Sequence, residues 1–215
     1  MERTLLEEFV IILLHPRRGR LMTLGNTLSQ AVAVAALTDL LLSGLIVLDE
    51  GKVKVKSLKF SGRKVQDYMI RKIHDSGRLR TFKQWTGKFF FKGDRFLKET
   101  LSDLVHRNVL YVREHSFLFF RYRRYFLIRG KERDEMISEL QAVVFGENLP
   151  DLRQAVLLQL LASCNLSKLI ARDRESTRIF RRKIKEFRKD ERIFGEYTGI
   201  LGEVKKTVSS AAVTG

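Results

Sequence analysis

The stretch Leu28-Ser29-Gln30-Ala31-Val32-Ala33-Val34-Ala35-Ala36-Leu37-Thr38-Asp39-Leu40-Leu41-Leu42-Ser43-Gly44 decides the architecture. Leu28, Val32, Ala35, Ala36 and the run Leu40 to Leu42 leave almost no polar side, so this is a helix that belongs at the centre of a core. Ser43-Gly44 stops it. The charge-free run around it, Leu21 to Thr38, includes Asn26, Thr27, Ser29 and Gln30 and ends at Asp39. It falls short of the roughly 20 mostly apolar residues that a spanning helix needs. Any membrane contact is therefore expected to be peripheral.

Toward the amino terminus, Thr4-Leu5-Leu6-Glu7 has the spacing of a capping box, and Leu5, Leu6, Phe9, Ile12 and Leu13 recur at helical intervals. A first helix is predicted to about Leu14, ending at His15-Pro16 and followed by the loop Pro16-Arg17-Arg18-Gly19-Arg20. Glu2, Glu7 and Glu8 stand where a signal peptide would carry basic residues, and Phe9–Leu14 is too short for its apolar region. A cytoplasmic location follows as the expectation.

Toward the carboxyl terminus, Leu45-Ile46-Val47-Leu48 and Lys52-Val53-Lys54-Val55-Lys56 flank Asp49-Glu50-Gly51, the pattern of a β-hairpin. Lys52, Lys54 and Lys56 share one face, either to meet a ligand or to guard an edge strand against aggregation. Short helices are predicted over 65–74 and 79–85, the second ended by Thr86-Gly87. The run Lys88-Phe89-Phe90-Phe91-Lys92-Gly93 then either plugs the core or forms an apolar wedge. A helix over 95–106 leads into a second hairpin. That hairpin comprises Val109–Val112, a turn at Glu114-His115-Ser116, and a long aromatic strand from Phe117 to Ile128. Beyond it the pattern predicts an acidic helix over 132–145, a buried helix over 151–163 capped by Asp151, a turn at 166–170, and a basic amphipathic helix over 174–189 built on Ile179, Phe180, Ile184 and Phe187. No linker divides the chain. The fold expected is mainly α: a single helical domain over 1–208 with a central buried helix, a short β-hairpin and a longer projecting β-hairpin, and a frayed tail over 209–215.

The 215 residues are 44% hydrophobic and carry 41 Lys+Arg against 25 Asp+Glu, a formal charge of +16. With 15 Phe and a mean hydropathy of −0.16, wholesale disorder is excluded. The charge is uneven: residues 52–98 hold 15 basic and 3 acidic side chains, residues 113–131 hold 6 and 1, and residues 172–192 hold 10 and 5, whereas residues 132–152 hold 1 and 6. Such asymmetry points to a polyanionic partner, nucleic acid or an anionic lipid surface. A single cysteine, Cys164, rules out an intramolecular disulfide, and its apolar setting reads as a small buried hydrophobe.

Catalytic signatures are missing. There is no Gly-x-Gly-x-x-Gly, P-loop, Gly-x-Ser-x-Gly or His-Glu-x-x-His, and His15, His74, His106 and His115 have no paired ligand spacing. The carboxylates Glu132, Asp134, Glu135 and Glu139 cluster on a face without apolar flanks to raise a pKa. No enzyme, cofactor or metal is expected.

Three segments together resemble the Golgi phosphoprotein 3 family: Leu5-Leu6-Glu7-Glu8-Phe9-Val10-Ile11-Ile12-Leu13-Leu14, then Ala36-Leu37-Thr38-Asp39-Leu40-Leu41-Leu42-Ser43-Gly44 before a short hairpin, and Leu104-Val105-His106-Arg107-Asn108-Val109-Leu110 before the Phe-rich strand. The resemblance runs from Thr4 to about Val208 and is to the prokaryotic type of member. It implies a mostly helical, non-enzymatic domain with a projecting hairpin and, in eukaryotic members, binding of phosphatidylinositol 4-phosphate in a basic pocket at a membrane surface. That pocket uses a Trp, an Arg nine residues on, and an Arg-x-x-Arg pair. Here the first two positions are Leu24 and Ala33, and the pair is matched by Arg95-Phe96-Leu97-Lys98, where Lys keeps the charge but loses bidentate geometry. The projecting hairpin, Val109–Ile128, is implied to help self-association through Phe117, Phe119, Arg121, Tyr122, Arg123 and Arg124.

The leading functional expectation is a peripheral membrane module. Arg17, Arg18, Arg20, Arg95 and Lys98 would gather around an anionic lipid head group while Phe89, Phe90 and Phe91 touch the acyl boundary. A nucleic-acid binder using Arg121-Tyr122-Arg123-Arg124 as a wing is the alternative, with Asp94, Glu99 and Asp103 on the preceding helix counting against it. A hairpin-mediated homo-oligomer is the third reading.

Overall fold

The structure, a computed structural model, describes residues 3–117, 120–187, 189, 190 and 193. It is mainly α, with two small antiparallel sheets, as the sequence predicts. The helices are α1 (Leu5–Leu13), α2 (Asn26–Leu42), α3 (Lys64–His74), α4 (Phe82–Phe90), α5 (Gly93–His106), α6 (Lys131–Phe145), α7 (Leu152–Ser163) and α8 (Arg174–Phe187). The strands are β1 (Ile46–Asp49), β2 (Lys52–Val55), β3 (Arg80–Thr81), β4 (Leu110–Phe117) and β5 (Phe120–Leu127), and a 3-10 turn spans Ser167–Leu169.

Helix α2 is the axis of the molecule. Every residue from Leu28 to Leu41 except Gln30 is buried, and the helix packs against α1, α3, α4, α5 and α7. Its small residues Ala31, Ala33, Ala35 and Ala36 sit inside the core. Close approach is most visible at Gly93, where an added Cβ would stand 2.5 Å from the Ser29 Cα. The helix ends as its Ser43-Gly44 pair demands: Gly44 takes φ of 67°, and the Leu45 N–H donates to the Leu40 carbonyl at 3.0 Å.

Polar side chains inside the core join elements distant in sequence. Asp39 on α2 accepts from the Leu5 and Leu6 N–H groups at 2.6 and 3.0 Å, supplementing the Thr4–Glu7 capping box at the start of α1. Glu7 is bound by both Arg63 and Arg107, which ties α1 to the start of α3 and the end of α5. At the other end of α1, buried Arg133 donates from Nε to the Ile12 carbonyl at 3.2 Å. A cation is favourable there because the terminal carbonyls of a helix carry partial negative charge.

Both hairpins form, with differences from expectation. Glu50 and Gly51 have φ of 48° and 73°, the geometry of a two-residue type I′ turn between Asp49 and Lys52. Strand β2 is not an edge: β3 pairs with its far side through Lys52↔Thr81 and Val53↔Arg80. The pairing covers Lys52 and Val53 only, so Lys52 does not guard an open edge, and exposed Lys54 pairs with Asp49. In the long hairpin, Glu114-His115-Ser116 is strand and not turn, because each residue has a cross-strand partner: Arg123, Tyr122 and Arg121. Helix α4 also runs past Gly87 to Phe90, so most of the Phe-rich run is helical. The capping box of Thr81 and Gln84 starts it in phase with Phe82, Trp85 and Phe89, which bury one face. Helix α8 ends at Phe187, and the expected tail over 209–215 lies outside the described residues.

Candidate functional site

Helix α4 turns the three consecutive phenylalanines in three directions, since successive residues on a helix are about 100° apart. Phe89 points into the core, 3% exposed, stacked on Trp85 at 5.4 Å and leaning on Phe96 at 5.9 Å. This corrects its assignment to a membrane-facing wedge. Phe90 is half-buried, and Phe91, at the cap of the helix, is 82% exposed. Their rings meet edge to face at 5.1 Å, so the expected wedge is reduced to these two.

Beside this corner, α3, β3, α4 and the cap of α5 enclose a cleft of about 410 Å³. Tyr68, Trp85 and Phe89 supply its aromatic wall; Lys72, Arg80, Lys88 and Lys92 supply four cations against the single carboxylate of Asp75. That carboxylate has a neighbour already, the His74 Nδ1 at 3.1 Å. The Arg80 guanidinium lies over the Trp85 ring at 5.0 Å, the Lys88 ammonium at 6.0 Å, and Arg95 covers Tyr68 at 4.8 Å. Cation–π contact holds Arg80 and Lys88 near the cleft without neutralising them, as a carboxylate partner would; Arg95 also pairs with Glu99. The Trp85 indole Nε1 is buried without a hydrogen-bond partner among the described residues. Leu24 is 73% exposed in the loop before α2, and the start of α2 packs on the start of α5 through Ser29 and Gly93, with the Ser29 hydroxyl donating to Asp94 at 3.2 Å.

The sequence-predicted head-group residues fall into two groups. Arg95 and Lys98 lie exposed on α5, Arg95 with its Nε 2.8 Å from Glu99, which raises its pKa further through the hydrogen bond and charge of that carboxylate. Arg17, Arg18 and Arg20 are exposed on the loop between α1 and α2. That loop is closed by the Arg17 and Arg18 N–H groups donating to His15 Nδ1, both at 3.2 Å. It is pinned to the long hairpin: the Tyr125 N–H donates to the Gly19 carbonyl at 2.7 Å, and Gly19, at φ of 58°, has no room for a Cβ beside the Phe126 ring. The described contacts thus place the three loop arginines with the hairpin and only Arg95 at the cleft. Ala33 is fully buried in α2.

On the hairpin, Tyr122 stacks on His115 at 5.4 Å, Arg124 covers Tyr122 at 4.9 Å, and Arg123 pairs with Glu114 at 3.0 Å. Arg121 lies opposite Ser116. Phe119 and the Phe117 side chain lie outside the described residues. Lys72, Arg80, Lys88 and Lys92 were missed as a group. The available signal was the Thr81-x-x-Gln84 capping box, which sets the start and phase of α4 and so, once the helix continues through Gly87, puts Lys88 within a turn of Trp85.

Among the described residues no helix is long and apolar enough to cross a membrane, and no cluster of His, Cys, Asp and Glu could hold a metal ion. Burial pushes the Cys164 thiol up to about 12, so it is not a thiolate near neutrality. Compared with known families, residues 5–211 match the family described as Golgi phosphoprotein 3 (GPP34). A search of curated proteins returned no match.

Proposed function

The chain belongs to the Golgi phosphoprotein 3 (GPP34) family, and on that premise we propose that it is a non-enzymatic peripheral membrane module that docks on anionic phospholipid head groups through its α3–α4–α5 face. The observation that carries this reading is the juxtaposition of the cleft with the apolar corner: four cations and one carboxylate beside Phe91, which is 82% exposed. A cation near an anionic bilayer contributes about 1 kcal/mol, so Lys72, Arg80, Lys88, Lys92 and Arg95 together supply about 4–5 kcal/mol. An inserted Phe91 adds about 1–2 kcal/mol of apolar burial. The sum corresponds to reversible docking at about 10–200 μM lipid. Phosphatidylinositol 4-phosphate is the head group the family resemblance suggests. The cations of this cleft take the place of the Trp and first Arg that this chain lacks.

Vesicle flotation tests the reading. Vesicles of phosphatidylcholine alone, with phosphatidylglycerol, and with phosphatidylinositol 4-phosphate at matched surface charge are compared at low and high salt. Binding is expected to anionic vesicles only and to fade as the Debye length shrinks from about 10 Å at 0.1 M salt to about 3 Å at 1 M. Equal binding to neutral and anionic vesicles, or binding to neither, would refute docking. Preference for phosphatidylinositol 4-phosphate over phosphatidylglycerol would identify the head group.

A further inference from the structure

Helix α8 carries a second cationic surface that the α3–α4–α5 face does not use. Its apolar residues Phe180, Ile184 and Phe187 are buried, and the helix packs on α6 and α7. Arg174, Arg178, Arg181 and Lys185 follow at intervals of four, three and four. At 3.6 residues per turn they fall within an arc of about 60°, and at 1.5 Å per residue they form a stripe about 16 Å long. Lys168, in the 3-10 turn, and Arg172 extend it. Together they line an open groove of about 1370 Å³.

None of these six cations makes an ion pair with another described residue. The nearby Glu186 is engaged by Arg182 and Lys183, at 3.7 and 3.9 Å. Asp173 is engaged by Ser176, whose N–H donates to its carboxylate at 2.8 Å. Glu175 also lines the groove, and among the described residues it forms no ion pair with these cations. In the order of packing, α7 and α2 stand between α8 and α4, so a flat membrane held against α4 leaves α8 open.

The charge of the groove points to its partner. No large apolar side chain from Leu152 to Phe187 is markedly exposed, so there is nothing to enter a bilayer and no aromatic anchor of the kind that dominates peptide interfaces. Among the described lining residues there is also no ring on which an unpaired base could stack. A periodic, Arg-rich surface on which cations outnumber the carboxylates of Asp173 and Glu175 suits repeated phosphates, which guanidinium groups meet bidentately. We propose that the α8 groove binds double-stranded nucleic acid by its phosphate backbone, without reading sequence. The formal charge of +16 steers the approach.

Fluorescence anisotropy of a labelled short DNA duplex, titrated with the full chain at several salt concentrations, tests this. Six phosphate contacts give a slope of log K against log salt of about −5, and about a thousand-fold loss between 50 and 200 mM. The variant Arg178→Glu/Arg181→Glu is expected to bind at least tenfold more weakly, with a slope shallower by about 2. Arg178→Lys/Arg181→Lys should keep most of the affinity, and duplexes of shuffled sequence should bind alike. Vesicle flotation of the charge-reversed variant should be unchanged, which also reports that it is folded. Wild-type affinity in the reversed variant, or marked sequence preference, would overturn the proposal. So would loss of vesicle rather than duplex binding, which would make α8 a membrane surface.

Discussion

Replacing Asp39 with leucine is expected to lower the unfolding free energy by about 2–5 kcal/mol and Tm by about 5–20 °C. The side chain is 4% exposed and lies on α2, where its two oxygens accept from the Leu5 and Leu6 N–H groups. Those are the first residues of α1, whose opening amides have no partner within their own helix. Leucine has a similar volume, so the space stays filled while two buried donors lose their acceptors. Asp39→Asn keeps one acceptor oxygen and is expected to lose about half as much. Urea unfolding followed by circular dichroism measures both. The same residue sets a pH dependence. Burial pushes its carboxyl from an ordinary value of 3.8 up to about 7, against the opposing pull of the Leu6 and Leu5 amides. The folded state then holds a proton that the unfolded chain releases, so this contribution to stability falls as pH rises from about 4 to about 7 and is level above that. Asp39→Asn should remove this part of the slope.

Reversing charge at the cleft, as Lys88→Glu/Lys92→Glu, is expected to weaken binding to anionic vesicles by a factor of about 1000. Each lysine near the bilayer contributes about 1 kcal/mol, and an acid in its place adds repulsion of similar size. Both side chains are exposed, and Lys88 approaches the Trp85 ring only at 6.0 Å, so the fold should persist. Phe91→Ala is a milder change that removes only apolar contact. A vesicle titration at fixed ionic strength distinguishes the two: the double reversal should abolish dependence on anionic lipid content, whereas Phe91→Ala should retain it at lower affinity.

Much of the fold is legible in the sequence. The central helix was legible because an apolar surface on every side has one place to go, and the starts of α1 and α7 because Thr4-x-x-Glu7 and Asp151-x-x-Gln154 are capping boxes. Helix α4 continues through Gly87, which is exposed mid-helix; a glycine there costs about 1 kcal/mol relative to alanine, too little to end a helix whose other face is packed. Once the helix continues, burial of Phe89 and exposure of Phe91 follow from its rotation. Glu114-His115-Ser116 looked like a turn because its residues are polar, yet cross-strand partners decide its conformation. The cleft was least legible: Lys72, Arg80, Lys88 and Lys92 come from separate elements, and only the packing of α3, β3 and α4 brings them together. The expected union of Arg17, Arg18 and Arg20 with Arg95 overlooked Gly19, whose close fit to Phe126 holds that loop on the hairpin.

The sole tryptophan, Trp85, lines the proposed docking cleft and reports on it directly. Its emission should be measured while anionic vesicles containing bromine-labelled acyl chains are added. If the α3–α4–α5 face seats on the bilayer, quenching rises with bound fraction and reverses on adding salt. Vesicle binding confirmed by flotation with Trp85 emission unchanged would contradict the account, because the chain would then be meeting lipid through a different surface.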